Sequence, residues 1–233
     1  IGKKIEEYKQ IIEKLKQETE SADPVVSADA AVALGVIKNP TAIALVRKLI
    51  DDPDENVRAS AANSLGILQD IPSRSKIIKI ALYDKFGIAR ACAASALATL
   101  GDKIAIPALK TMAYHDKEPM VRVTAAISLK TMGEEWAVSI IKGAVKDRNK
   151  DVRIYAASML ASLGDASYLN IVREGLSSKD KVIRGACVNV LGQMGGEEVL
   201  ADLKYLSKND EEPIIRETAL KGVILIEARL KKK

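Results

Sequence analysis

The stretch Asp116-Lys117-Glu118-Pro119-Met120-Val121-Arg122-Val123-Thr124-Ala125-Ala126-Ile127-Ser128-Leu129 decides the fold, because its key features return at a fixed interval along the chain. An aliphatic residue followed by Arg recurs as Val57-Arg58, Val152-Arg153, Ile183-Arg184 and Ile215-Arg216, with Ala89-Arg90 as a variant. The arginines at 58, 90, 122, 153, 184 and 216 are separated by 32, 32, 31, 31 and 32 residues, and Val26-Ser27 stands one unit earlier as a degenerate copy. Self-similarity at such a period marks a stack of supersecondary units.

Within each unit the third and fourth residues after the Arg are small: Ala61-Ala62, Ala93-Ala94, Ala125-Ala126, Ala156-Ala157 and Cys187-Val188. The seventh is a large aliphatic, running Leu34, Leu65, Leu97, Leu129, Leu160, Leu191 and Val223. Together with the residue before the Arg, these form an apolar stripe at helical spacing, so this is the first helix of a unit. Gly101, Gly133, Gly164 and Gly195 are expected to end it in the left-handed conformation. Asp70, Asp102, Glu134 and Asp165 follow as candidate caps for a second helix. That helix has its own stripe, seen in Ile43, Val46 and Ile50, in Ile106, Leu109 and Ala113, and in Leu169, Val172 and Leu176.

Composition agrees with helices packed closely on one another. Of 233 residues, 48% are hydrophobic and only 3% aromatic, which disfavours sheets built from β-branched and aromatic pairs. The expected fold is all-α, a right-handed α-solenoid of about seven two-helix repeats in which each repeat buries its apolar face against its neighbours. One domain is expected over 1–233. It comprises a capping helix over 1–20 marked by Ile5, Tyr8, Ile12 and Leu15, six full repeats over 21–208, and a capping half-repeat over 209–233 that opens at Pro213 and ends in Lys231 to Lys233.

The unit, an Asp followed after a few residues by Val-Arg, Ala-Ala and Ala-Leu-Gly, resembles the HEAT repeat family in its short bacterial and archaeal form, related to phycobilin-lyase repeats. The resemblance covers residues 21 to about 226 and implies the superhelical fold. Its members range from scaffolds to chromophore lyases and DNA glycosylases, so fold alone does not assign function.

Two charged columns follow from the period. Arg58, Arg90, Arg122, Arg153, Arg184 and Arg216 are each preceded by six residues by Asp52, Asp84, Asp116, Asp147, Ser178 and Asp210. An Arg fork can bridge a carboxylate and loop carbonyls of adjacent repeats, so this column is assigned to architecture in preference to an anion-binding ladder. The second column is Arg47, Lys79, Lys110, Lys142, Arg173 and Lys204, one per second helix. The family resemblance puts second helices on the concave side, which would place these cations, with Tyr83 and Tyr114, in a groove. Lys48, Lys146, Lys208 and Tyr205 lie around them.

Catalytic signatures are lacking. His115 is the only histidine and is followed by Asp116, whereas the di-iron hydroxylases of this repeat class need several His-Glu pairs. Cys92 and Cys187 lie three repeats apart, too far for a disulfide at about 10 Å per helix layer, and read as small core residues. No soft-ligand cluster suggests a metal, no Gly-rich loop suggests a nucleotide cofactor, and Trp136 reads as a seam residue. The net charge of +5 is mild for a nucleic-acid-binding domain.

The expected function is therefore non-catalytic: a protein-interaction scaffold whose concave groove holds an acidic or mixed-charge segment, with nucleic-acid binding along a basic concave face as the alternative. Without 18 consecutive apolar residues or a signal-peptide pattern, the chain as given is expected to be soluble, with the cytoplasm favoured. Because it begins at Ile1 and not Met, the expectation allows for N-terminal residues that the sequence lacks.

Overall fold

A computed structural model describes residues 2–232, with side chains from Glu6 onward; the Ile5 side chain and Lys233 lie outside the described residues. These residues form fourteen α-helices and short 3-10 turns, and among them there is no strand. Two compact units are resolved, Ile1–Ala137 and Val138–Lys233. The first holds α1 (Gly2–Thr19), α2 (Pro24–Gly35), α3 (Pro40–Leu49), α4 (Glu55–Ile67), α5 (Arg74–Tyr83), α6 (Gly87–Leu100), α7 (Ile106–His115) and α8 (Pro119–Thr131). The second holds α9 (Val138–Ala144), α10 (Lys150–Ser162), α11 (Leu169–Glu174), α12 (Lys181–Met194), α13 (Leu200–Asn209) and α14 (Pro213–Leu230).

Local chemistry sets the starts of these helices. Pro24, Pro40, Pro119 and Pro213 open theirs, where the missing N–H costs nothing. Asp23, Asn39, Asp54, Asn149 and Asp180 accept backbone N–H groups of the first turn. The expected acidic caps act one step earlier than a helix. Asp102 and Asp165 cap 3-10 turns, Lys103–Ala105 and Ala166–Tyr168, which then tighten into α7 and α11. Asp70 caps nothing with its side chain, which instead accepts the Ser73 hydroxyl at 2.6 Å.

The helix ends divide in two. Gly101, Gly133 and Gly164 take φ of 67°, 92° and 101°, as expected for left-handed stops. Gly195 does not: its φ is −68° and its N–H bonds the Leu191 carbonyl at 2.8 Å. Here glycine is required for room, since a Cβ would meet that carbonyl oxygen at 2.6 Å. In the register of Gly101 one repeat earlier stands Gln69, left-handed at φ 57°. Its amide donates to the Gly66 and Thr99 carbonyls at 3.1 and 2.7 Å, tying two repeats together in compensation for the strain.

The core of the first unit is the seam between Arg-bearing helices. Leu34, Leu65, Leu97 and Leu129 are completely buried, as are Ala31, Ala61, Ala62, Ala93, Ala94, Ala125 and Ala126. Small side chains let backbones close in. A Cβ on Gly66 would lie 2.9 Å from the Ala96 Cα, and the Ser64 hydroxyl donates to the Ala31 carbonyl at 2.8 Å across the α2–α4 contact. The helices α2, α4, α6 and α8 therefore pack extensively in sequence, whereas α5 and α7 in the other layer meet sparsely. The second unit repeats the scheme: α10, α12 and α14 pack in order around Ile154, Ile183, Cys187, Leu191, Leu203 and Ile226, and Gly192 faces Gly222.

Replacing Gly66 by Ala tests this close approach. Ala favours an isolated helix by about 1 kcal/mol over Gly, yet overpacking against α6 should reverse the sign and cost about 1–3 kcal/mol. Urea unfolding of Gly66→Ala against the parent measures it.

Candidate binding faces of the repeat stack

The arginine column forms inter-repeat rungs. Arg58 Nη1 donates to the carbonyls of Asp52 and Pro53, both at 2.8 Å, while Nε and Nη2 donate to the two oxygens of Asp84 at 2.7 and 2.9 Å. Arg90 repeats this with Asp116 at 2.7 and 2.8 Å and adds Glu118 at 3.1 Å. In the second unit Arg184 does so with Asp210 at 2.9 and 3.1 Å, adding Glu211 at 3.0 Å. Arg122, Arg153 and Arg216 each donate Nη1 to the carbonyl six residues back. Asp84, Asp116 and Asp210 thus each hold their own loop and receive the arginine of the preceding repeat.

The carboxyls of Asp84, Asp116 and Asp210 are held below their ordinary value. The Arg184 hydrogen bond chiefly holds Asp210 below the ordinary value of 3.8. For Asp116 burial is the largest single influence and pushes upward, but the Arg90 bond, the Glu118 N–H and nearby positive charge together outweigh it.

The second column lies on the more loosely packed layer. In the first unit α2, α4, α6 and α8 pack closely on one another, whereas α5 and α7 meet sparsely. Arg47, Lys79 and Lys110, on α3, α5 and α7, belong to this wider-spaced layer, together with the exposed Tyr83 and Tyr114.

Most of these cations are paired. Arg47 makes a bidentate pair with Asp70, and Lys110 lies 3.5 Å from Glu134. In the second unit Arg173 bonds Asp202 at 2.8 Å and Lys204 bonds Glu227 at 2.7 Å, while Lys142 is close enough to help lower the Asp165 carboxyl. The acidic residues Asp70, Glu134 and Asp165 thus answer Arg47, Lys110 and Lys142 of the preceding repeat, whereas Asp102 is taken by Arg74 in place of Lys79.

The solvent-facing side of the Arg-bearing layer has a different character on α4 and α6. Asn63 and Ile67 on α4 and Ile88, Ser95 and Thr99 on α6 are exposed, with Ile127 half-buried on α8. None of these is charged, and Ile88 is 53% exposed; this side of the layer carries charge at Asp29 on α2. Cys92 lies on this face, half-buried, and so is not the core residue expected. Cys187 is buried, which pushes its thiol up to about 12.

One aromatic cluster lies on the more loosely packed layer. The Trp136 ring stacks on Tyr114 with centroids 5.7 Å apart and planes within 1°, bridging successive repeats. Its Nε1 donates to Glu134 at 2.5 Å, and Lys110 Nζ lies 5.2 Å from the ring centroid. His115 ends α7, exposed beside Tyr114. Among the described residues no three His, Cys, Asp or Glu side chains gather where they could hold a metal ion, and no helix is long and apolar enough to cross a membrane.

Paired helices stacked through alanine seams and arginine rungs define an α-solenoid repeat protein. A family model described as HEAT repeats matches residues 12–85, 74–146 and 137–223, and the chain belongs to that family. Among solved structures, the complex of CpcE and CpcF of phycocyanin lyase from Nostoc sp. PCC7120 is similar at TM-score 0.59 and 21% identity, covering 95% of this chain and 94% of that one. YibA of E. coli aligns at TM-score 0.52 and 21% identity, covering 99% and 92%. Human deoxyhypusine hydroxylase in complex with glycerol aligns at TM-score 0.50 and 17% identity, covering 94% and 96%. At these identities the likeness is one of fold. A comparison with curated proteins found no match.

Removing a rung carboxylate should be costly, because Arg90 and Asp116 are only 4% and 6% exposed. Asp116→Ala strands the guanidinium and should lower stability near neutral pH by about 3 kcal/mol. The folded carboxyl lies below its ordinary 3.8, so its contribution is complete above that value and is lost as pH falls through the lowered one. Denaturant titrations at several pH values should accordingly show a shallower acid loss of stability in Asp116→Ala than in the parent.

Proposed function

We propose that the chain is a non-catalytic protein-interaction scaffold whose binding surface is the solvent-facing side of α4 and α6 in the first unit, and that its occupant is a weakly charged, partly apolar segment of a partner protein. The uncharged row running from Asn63 and Ile67 through Ile88, Ser95 and Thr99 carries this reading. In a chain with 29% charged residues, solvent-facing helix rows are ordinarily where charge collects. Depletion of charge, with aliphatic side chains among short hydrogen-bonding ones, is instead the composition of interface centres. HEAT repeats generally mediate protein interactions, and the CpcE–CpcF structure is itself a complex of two proteins.

The same proposal treats 1–20 and 209–233 as caps of the stack. It departs from a basic groove in its electrostatics: with most of the other layer's cations answered by carboxylates and the α4–α6 row neutral, an acidic ligand finds no concentrated positive surface on this face. A phosphate backbone would find none either.

Panning a phage-displayed library of random peptides on the protein tests the reading. Selected peptides should be poor in acidic residues, lose affinity by about tenfold or more (1.4 kcal/mol or more) with Ile88→Glu, and bind Lys110→Glu as they bind the parent. Acidic peptides that depend on Lys110 would sink it. So would tight binding of labelled DNA or RNA that weakens by orders of magnitude between about 50 and 200 mM salt.

A further inference from the structure

The ladder has a gap inside the second unit. Arg58, Arg90 and Arg184 share one pose: Nη1 is anchored on the carbonyls six and five residues back, and the Nε–Nη2 edge is turned to the aspartate of the next repeat. Arg153 has the same anchor, with Nη1 at 2.9 and 3.0 Å from the carbonyls of Asp147 and Arg148. The residue in the aspartate's register, six before Arg184, is Ser178.

In the complete rungs the aspartate does two things. It accepts a backbone N–H two residues on, as Asp84 does from Phe86, Asp116 from Glu118 and Asp210 from Glu212, at 3.0, 2.9 and 3.0 Å. It also fills the fork of the preceding arginine. Ser178 keeps the first role, its Oγ accepting the Asp180 N–H at 3.1 Å. It cannot take the second, because a hydroxyl is shorter, uncharged and has one oxygen where the fork presents two donors. Among the described residues no carboxylate is bonded to Nε or Nη2 of Arg153; the same holds of Arg122 and of the terminal Arg216, but only at Arg153 does the register itself supply a serine for the aspartate.

On its other side Ser178 borders a depression of about 240 Å³, lined also by Lys150, Lys179 and Asp151 but not by Arg153. Of its acidic neighbours, Glu174 is engaged by Lys150 at 3.8 Å, and Asp180 caps α12 through the N–H groups of Val182 and Ile183.

We propose that the Arg153 edge beside Ser178 is an oxyanion-binding site, taking from outside the chain a carboxylate or phosphate group in the place where the other rungs carry aspartate. A guanidinium held by two carbonyls is preorganised, so a planar or tetrahedral oxyanion meets two parallel N–H donors without ordering the side chain first.

Arginine-selective ¹⁵N labelling and titration with inorganic phosphate or acetate, against chloride at constant ionic strength, test it. The Arg153 Nε–H resonance should move saturably, with a dissociation constant on the order of millimolar, while that of Arg58, filled by Asp84, stays in place. In Ser178→Asp it should begin near the resonances of Arg58, Arg90 and Arg184 and cease to respond. A response about tenfold stronger to phosphate (1.4 kcal/mol) identifies a phosphate-bearing ligand, and equal responses identify an acidic side chain. An Arg153 signal that ignores both anions, or moves equally in Ser178→Asp, overturns the proposal.

Discussion

The close approach of successive Arg-bearing helices is the constraint on which the other features depend. Alanine pairs at the third and fourth positions after each Arg are completely buried in the first unit, and Gly66 and Ser64 bring neighbouring backbones nearly into contact. Larger side chains there would separate the helices, and the arginine of one repeat would no longer reach the aspartate of the next. In the first unit only this layer is so closely packed.

Electrostatics follow from that spacing. A buried guanidinium is tolerated only when every donor is used, and the rung meets this demand with two loop carbonyls and one bidentate carboxylate. Much of the second column is arranged on a similar offset, with Arg47, Lys110 and Arg173 meeting acidic residues further along the stack. Most of the regular charge of this protein is therefore internal to the stack, and the modest net charge of +5 is a poor guide to where a ligand would bind. Departures from the pattern carry more information: a row without charge, and a serine where the register asks for aspartate.

The likeness to a lyase complex and to a hydroxylase shows how one stack serves different chemistries. The repeats supply rigid faces, and function resides in the few side chains that the stacking rules leave unassigned. In this chain most of the residues that satisfy those rules, Leu, Ala, Arg and Asp in register, are engaged in packing, loop carbonyl bonds or ion pairs. The uncharged row on α4 and α6 and the Arg153–Ser178 position are departures from them.

Much of the fold was legible in the order of residues, because a period near 32 and an apolar stripe at helical spacing are properties of the chain itself. So were the helix pairs, three of the four glycine stops, and the arginine and aspartate columns, whose spacing needs only counting. Gly195 was misread because room and positive φ both call for glycine, and only the surrounding atoms tell them apart. Which layer packs more closely, which carboxylate answers which cation, and whether Cys92 is covered are relations between repeats, set by how closely helices distant in sequence pack. The alanine positions bear on it, but the chain alone does not state how much closer one layer packs than the other; the tertiary structure decided it, because the spacing of two helices depends on every side chain that meets between them.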